Sequence, residues 1–231
     1  KDNAELIRTS ATLTIMADGC HLENLTVENT AGPVGQALAL TLRGDKLIFS
    51  NCNILGYQDT ILMGSDGMRN YFIDCLVLGR TDYIYGGGIG FFQSCEIRSW
   101  GGGWITAPST PKNQEYGFVF NQCNFTYINN SPRSGDDGRL IAIGRPWHNY
   151  PKVAILNSDL CGQIHPEGWP TVWHMEYASG SKDLHLHEYN NTGKGADMSK
   201  RSDWAGIKQL TNEEAREYTI EKVLGEMKEW K

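Results

Sequence analysis

Phe49-Ser-Asn-Cys52-Asn-Ile54, Phe72-Ile-Asp-Cys75-Leu-Val77, Phe92-Gln-Ser-Cys95-Glu-Ile97 and Phe120-Asn-Gln-Cys123-Asn-Phe125 are four copies of one short pattern. Looser copies flank them: Leu22-Glu-Asn-Leu25-Thr-Val27 before, and Ile155-Leu-Asn-Ser158-Asp-Leu160 after. Their central residues lie 27, 23, 20, 28 and 35 positions apart. Each copy alternates apolar and polar residues, as a half-buried strand does. Gly and Asn follow most copies and mark turns. Repeats of this length, with short strands and no evident helix, predict an all-β solenoid, a parallel β-helix. Each coil then buries its inner face only by stacking on its neighbours. The four repeat cysteines stack as an internal column with parallel side chains, which is poor disulfide geometry. Free buried thiols are expected there; Cys20 and Cys161 fall outside the register, and their state stays open.

The rest of the composition narrows the function. The chain has 231 residues, 25.8 kDa, and 21 basic against 27 acidic residues, a net charge of −6. That balance argues against a nucleic-acid partner, which needs a basic face for phosphates. No stretch approaches the roughly 20 apolar residues of a membrane span. A single domain over residues 1–231 is expected, with coils over about 10–205. Thr211-Asn-Glu-Glu214 reads as a capping box, followed by apolar Ala215, Tyr218, Leu224, Met227 and Trp230. That spacing predicts a helix over about 211–228, covering the C-terminal end of the solenoid. The sequence begins at Lys1 without a visible signal peptide, as a processed chain or an excised piece would. The segment from Lys1 to Cys20 is too short to cap the first coil, whose edge is expected to be exposed or covered by something absent here.

The register also carries chemistry. Asp59 lies seven residues after Cys52, and Asp82 lies seven after Cys75. Equal offsets on adjacent coils put the two carboxylates about 5 Å apart, the usual strand separation. Counting back one more step of the same length from Asp59 reaches Gln36, so Gln36, Asp59 and Asp82 are expected in one column with Gln58 beside it. Two stacked carboxylates repel, and one pKa should rise unless a cation intervenes. An acid–base enzyme uses such a pair. Arg145, in Gly144-Arg145-Pro146-Trp147, precedes Ser158 by the same interval as Asp82 precedes Cys95. It is expected along the same column, two coils on. Trp147 should share its face and offers a flat platform for a sugar ring.

These residues resemble the pectin methylesterase (pectinesterase) family. The motifs are Gly35-Gln36-Ala37-Leu38-Ala39-Leu40, Gly56-Tyr57-Gln58-Asp59-Thr60, Asp82-Tyr83-Ile84-Tyr85-Gly86 and Gly144-Arg145-Pro146-Trp147. Pro166-Glu-Gly-Trp169, Glu188-Tyr-Asn-Asn and residues 201–204 extend the likeness over about residues 9–226. It departs at Arg80-Thr81, where the family has smaller residues, and at Tyr83 and Tyr85, where it has phenylalanine. The family's N-terminal helix and first coils have no counterpart. The resemblance implies a right-handed parallel β-helix that hydrolyses methyl esters on galacturonate chains. It implies Asp82 as nucleophile on the ester carbonyl and Asp59 as the acid for methanol, then the base for water. Gln36 and Gln58 would hold the oxyanion, and Arg145 would keep the nucleophile charged. These roles suit the residue types: a carboxylate nucleophile must be ionised, its partner must carry a proton, and amides donate to an oxyanion.

Trp147, Tyr85, Tyr57 and Trp169 are the expected substrate contacts, with Trp169 and Trp173 equally able to pack a loop. No metal or other cofactor is implied. The expected partner is pectin, met by a monomer outside the cytoplasm. His185 and His187 share a strand face, lack an obvious third ligand and read as solvated rather than metal-binding. Asn24, Asn124, Asn129 and Asn190 begin glycosylation sequons, but asparagine is common at β-helix turns. A β-helix lyase or polygalacturonase is the rival enzyme, and a non-catalytic pectin-binding solenoid the rival binder. A lyase should show a calcium-binding carboxylate cluster, whereas here two acids are flanked by amides. Carboxylates about 5–5.5 Å apart also suit a retaining glycosidase, so the products decide: methanol for the esterase, new reducing ends for the hydrolase.

Overall fold

A computed structural model describes residues 10–64, 66–170 and 177–230. Among these residues the strands are all paired in parallel, in two hydrogen-bonded sheets of ten and eight strands. The coil has three faces, because Leu76–Gly86 and Glu96–Pro108 each bend around a corner and join two of them. The first face begins just after each repeat centre and stacks Val27, Ile54, Val77, Ile97, Phe125 and Leu160 in register. The second runs through Leu13–Ile15, Leu40–Leu42 and Ile61–Met63, the far halves of the two long strands, and Ala142–Gly144. The third carries the repeat phenylalanines, with Phe49, Phe72, Phe92, Phe120 and Ile155 aligned. The parallel β-helix expected from the repeats is the observed fold.

Strand separation dictates how this core packs. Parallel strands lie about 4.8 Å apart, and the rings of Phe49, Phe72, Phe92 and Phe120 stack at 4.7, 4.6 and 4.7 Å. Beside them Cys52, Cys75, Cys95 and Cys123 are buried free thiols. Cys20 and Cys161 are also unbridged. The column continues in altered chemistry: the Cys123 backbone N–H donates to Ser158 Oγ at 3.0 Å. Glu188 then takes the place of Ile155 on the next coil, buried and paired with Arg201 at 2.6 Å. This is a seventh copy of the repeat, unrecognised in the sequence because a carboxylate stands where an aromatic ring does elsewhere.

The residue before each repeat centre turns the corner. Asn24, Asn51, Asp74, Ser94, Gln122, Asn157 and Asn190 all have φ between 50° and 58°. Short polar side chains visit the left-handed region at lower cost than bulky ones. Several also hydrogen-bond from coil to coil, as Asn51 Nδ2 does to Asn24 Oδ1 at 2.6 Å.

Two expectations need correction. The C-terminal segment is not one helix but two short ones, Asn212–Ala215 and Ile220–Leu224, with 3-10 turns after each. The capping box at Thr211 and Glu214 is present, but Thr219 returns to extended backbone and caps the second helix. That break turns Val223, Leu224 and Trp230 onto the outside of the third face, against Tyr71, Phe91 and Val119, rather than over the solenoid's end. Arg69 fastens it, donating to the Leu224 carbonyl at 2.9 Å with its guanidinium over Trp230. The second correction concerns His185 and His187, which are half-buried and stacked at 5.2 Å rather than solvated. His187 Nδ1 lies 2.7 Å from the Tyr218 hydroxyl, and burial pushes its pKa down to about 4.

At the other end no described strand pairs with the outer edge of the first described coil, and Met16 and Leu25 are exposed. No described helix is long and apolar enough to cross a membrane.

The ring column supplies a direct test of what holds the coils together. Phe72 is fully buried between two other rings. Phe72→Ala should cost about 3–5 kcal/mol, the usual range for deleting a core aromatic. Urea denaturation measures it; a loss under about 1 kcal/mol would mean the neighbouring coils collapse into the gap.

Candidate active site

The second face opens into a cleft of about 780 Å³, to which Gln36, Asp59, Tyr85 and Trp147 come from separate coils. Ile61 pairs with Ile84, the same step that separates Cys52 from Cys75, so the register carries Asp59 next to Asp82. The Asp59 N–H donates to the Thr81 carbonyl at 3.0 Å, and Gln58 bridges to Thr81. Both aspartates adopt left-handed backbone, φ 62° and 49°. A non-glycine residue there is uncommon and is held in place by its surroundings.

Asp82 is buried, and Arg145 meets it with a fork. Arg145 Nε donates to Oδ1 at 2.9 Å and Nη2 to Oδ2 at 2.6 Å. Such bidentate, charge-assisted bonds are the strong ones and fix orientation as well as charge. They also raise the Arg145 pKa above its ordinary value. Gly144 allows the approach, since a Cβ there would lie 2.0 Å from Thr106 Oγ1. The guanidinium also lies over the Trp104 ring, 5.9 Å from its centroid. Tyr177 anchors the following turn, donating to the carbonyls of Pro146 at 2.9 Å and His148 at 2.8 Å.

Asp59 has no such fork. Burial, then the negative charge of Asp82, pushes its carboxyl pKa up to about 7, with Arg145 opposing. The two acids therefore differ in kind at neutral pH: one is held by a guanidinium, the other carries a proton about half the time. Gln36 and Asp59 line the cleft together with Tyr85 and Trp147. Trp147 is half exposed and tilts on Tyr85 at 5.9 Å, which leaves a flat apolar surface beside the acids. A buried anion, a neighbouring proton donor and amide groups suit acyl transfer at an ester carbonyl.

A family model described as Pectinesterase matches residues 2–227. The chain belongs to the pectinesterase family. Probable pectinesterase A of Neosartorya fischeri is 39% identical over 193 residues, which are 83% of this chain and 56% of that protein. The chain thus spans about half the length of that curated relative. The solved pectin methylesterase from carrot superposes with a TM-score of 0.84 at 31% identity, covering 95% of this chain and 70% of its own. A pectin methylesterase solved in complex with a hexasaccharide gives 0.74 at 29% identity, covering 94% and 73%.

The structure brings Asp59, Asp82 and Arg145 together, with Gln36, Gln58, Tyr85 and Trp147 around them, though not always by the expected route. Gln36 is not reached by repeating the step between Asp59 and Asp82, because Leu40 pairs with Ile61, an offset shorter by two. Arg145 follows Gly144, which pairs with Thr106, so it stands beyond the level of Asp82 and reaches back. Register shifts between Ser99 and Thr106 upset the count. Two aromatic expectations are corrected. Trp169 is a core side chain, 2% exposed, and offers no surface to a polymer. Tyr57 is buried with its hydroxyl on Asp136, and it does not line the cleft. Trp173 lies outside the described residues. Trp104, Tyr177, Arg43 and His148 belong to the site or its rim and carried no motif signal.

The raised value of Asp59 implies a cost to stability. Its folded pKa exceeds the ordinary 3.8, so ionising it opposes folding: the penalty is absent below about pH 4 and complete above about pH 7. A shift of this size corresponds to about 4 kcal/mol at most, or about 2 kcal/mol after allowing for its partial exposure. Asp59→Asn should therefore stabilise the protein by about that amount at pH 8 and hardly at all at pH 4. Urea denaturation at the two pH values measures it, and equal gains at both would contradict the assignment.

Proposed function

We propose that this pectinesterase-family protein hydrolyses methyl esters on the galacturonate units of pectin. The observation that carries the reading is the unequal acid pair: Asp82 in the fork of Arg145, and Asp59 one coil before it with a raised pKa. A hexasaccharide-bound pectin methylesterase of similar fold supports a sugar polymer as ligand. Pectin lies outside the cytoplasm, which is where such an enzyme would work.

The reaction follows from the two environments. An Asp82 oxygen attacks the ester carbonyl carbon, and the carbonyl oxygen becomes an oxyanion that the side-chain amides of Gln36 and Gln58 stabilise by donation. Collapse breaks the bond to the methoxy oxygen, which takes the Asp59 proton and leaves as methanol. Asp59, now a carboxylate, removes a proton from water, and the hydroxide oxygen attacks the anhydride joining Asp82 to the sugar acid. The attack is on the galacturonoyl carbonyl, whose bond to the Asp82 oxygen breaks; Asp82 is restored as a carboxylate, Asp59 keeps the proton from water, and the galacturonic acid leaves and gives its own proton to solvent. The Trp147 and Tyr85 surface holds a sugar ring against the reacting ester, converting binding into orientation.

Methanol release from esterified pectin tests this. Asp82→Asn should lower turnover by at least about a thousandfold, roughly 4 kcal/mol of barrier. Arg145→Lys keeps the charge but loses the fork, and a fall of about a hundredfold is expected. The ratio kcat/KM should decline above about pH 7 as free Asp59 loses its proton. New reducing ends without methanol, or full turnover in Asp82→Asn, would overturn the proposal.

A further inference from the structure

We propose that Asp136 is a positioning residue, a buried carboxylate that braces the two coils carrying Asp59 and Asp82 through Tyr57 and Arg80. The inference rests on the reading of those two acids given above. Asp136 comes from the loop at 129–139, between the strands Asn124–Ile128 and Ala142–Gly144, and is completely buried. Its Oδ1 accepts from Arg80 Nη2 at 3.0 Å. Its Oδ2 accepts from Arg80 Nε at 3.1 Å, from Ser131 Oγ at 2.9 Å and from the Tyr57 hydroxyl.

The positions of its two main partners give the contact its meaning. Tyr57 lies two residues before Asp59, and Arg80 two residues before Asp82. They are neighbours across the sheet, since the N–H groups of Arg80 and Thr81 both donate to the Tyr57 carbonyl, at 2.7 and 3.2 Å. Arg80 Nη1 also donates to Thr81 Oγ1 at 2.6 Å, adjacent to Asp82. One carboxylate therefore grips the same place on both coils, just upstream of each acid. The left-handed backbone at 59 and 82 follows directly, and Asp59 lines the cleft beyond it.

The sequence around the brace is shaped to admit it. Gly101, Gly102 and Gly103 form the bulged part of the strand Glu96–Pro108. A Cβ on Gly101 would lie 2.6 Å from Asp136 Cβ, and one on Gly103 2.1 Å from the Arg80 carbonyl oxygen. An ordinary side chain at 101 would drive the loop off the strand, and one at 103 would push this strand away from its neighbour at Arg80. Trp104, which follows directly, lies beneath the Arg145 guanidinium.

Charge keeps the brace closed. Burial alone would raise the Asp136 pKa, but the bonds from Tyr57, Ser131 and Arg80 hold it below the ordinary carboxylate range. Arg139, mostly exposed at 3.9 Å, is the other charged group facing it among the described residues. The brace thus stays ionised and neutralises Arg80 wherever Asp59 titrates. Loosening it lets Asp59 and Asp82 separate and admits water, and both changes lower the Asp59 pKa.

The test follows Asp59 directly, by carboxyl-carbon NMR titration of the full chain, alongside methanol release against pH. Tyr57→Phe removes one hydroxyl and leaves the ring in place; Asp136→Asn removes the charge. Both should shift the Asp59 midpoint downward from about 7, Asp136→Asn by more. The same variants should lower kcat roughly 10- to 100-fold with KM within about threefold, because misplacing a reacting group by about an ångström costs about that much. If Asp136→Asn does not fold, Tyr57→Phe decides alone. An unmoved Asp59 midpoint in folded Tyr57→Phe overturns the brace, even if stability falls. Wild-type protein that releases no methanol overturns the esterase reading instead, and the titration still reports on the brace.

Discussion

Hydrogen-bond register between successive coils is the constraint on which everything else in this protein depends. A slip of one residue in a parallel ladder turns every inward side chain outward. The aromatic stack from Phe49 to Phe120 tolerates no such slip, since its rings sit at the strand spacing and fill the interior. The same ladder sets the chemistry, because Asp59 and Asp82 are far apart in sequence and the pairing of Gln58 with Thr81 and Ile61 with Ile84 sets them side by side. Core packing and the acid pair are two readings of a single register.

That dependence explains which features were legible in the sequence. The Phe and Cys columns were, because their spacing is regular and their chemistry unmixed. Asp59 and Asp82 were, because the step between their coils has the same length in the repeat and on the second face. The count failed wherever a coil changes length at one corner only. Gln36 precedes a shorter step on its face, and Arg145 follows a strand whose glycines absorb extra residues. Glu188 belongs to the resemblance but not visibly to the repeat, because an ion pair replaces the apolar residue there. Residue type alone marks Tyr57 and Trp169 as sugar contacts, but facing is decided by the turn that each strand makes, which alternation alone does not report. The C-terminal helix was read from apolar spacing that continues through Thr219, a residue that ends one helix by capping the next.

The site is costly to the fold, and the costs are local. Two non-glycine residues sit in left-handed backbone, and a half-buried acid faces a second acid. Arg145 removes part of the electrostatic penalty by neutralising Asp82, yet it leaves Asp59 raised, which is the state an acid catalyst near neutral pH requires. A guanidinium placed to serve both carboxylates equally would steady the fold and lower the Asp59 pKa. The geometry instead commits the fork to one partner, with all three short contacts on Asp82.

A solenoid suits this division because neighbouring coils are stiff in different directions. Along each strand the ladder fixes position to within a hydrogen bond; outward from the sheet only side chains and loops do so. The two acids project outward, so their separation is the quantity the ladder controls least. That is where the buried contacts accumulate: Asp136 under Tyr57 and Arg80 on one side, Trp104 under Arg145 and Tyr177 on the Pro146 turn on the other. These contacts come from loops and bulges rather than from the repeat. The repeat therefore stacks the acids at the coil spacing, while the irregular segments between its copies set how closely they face each other, and with that the proton on Asp59.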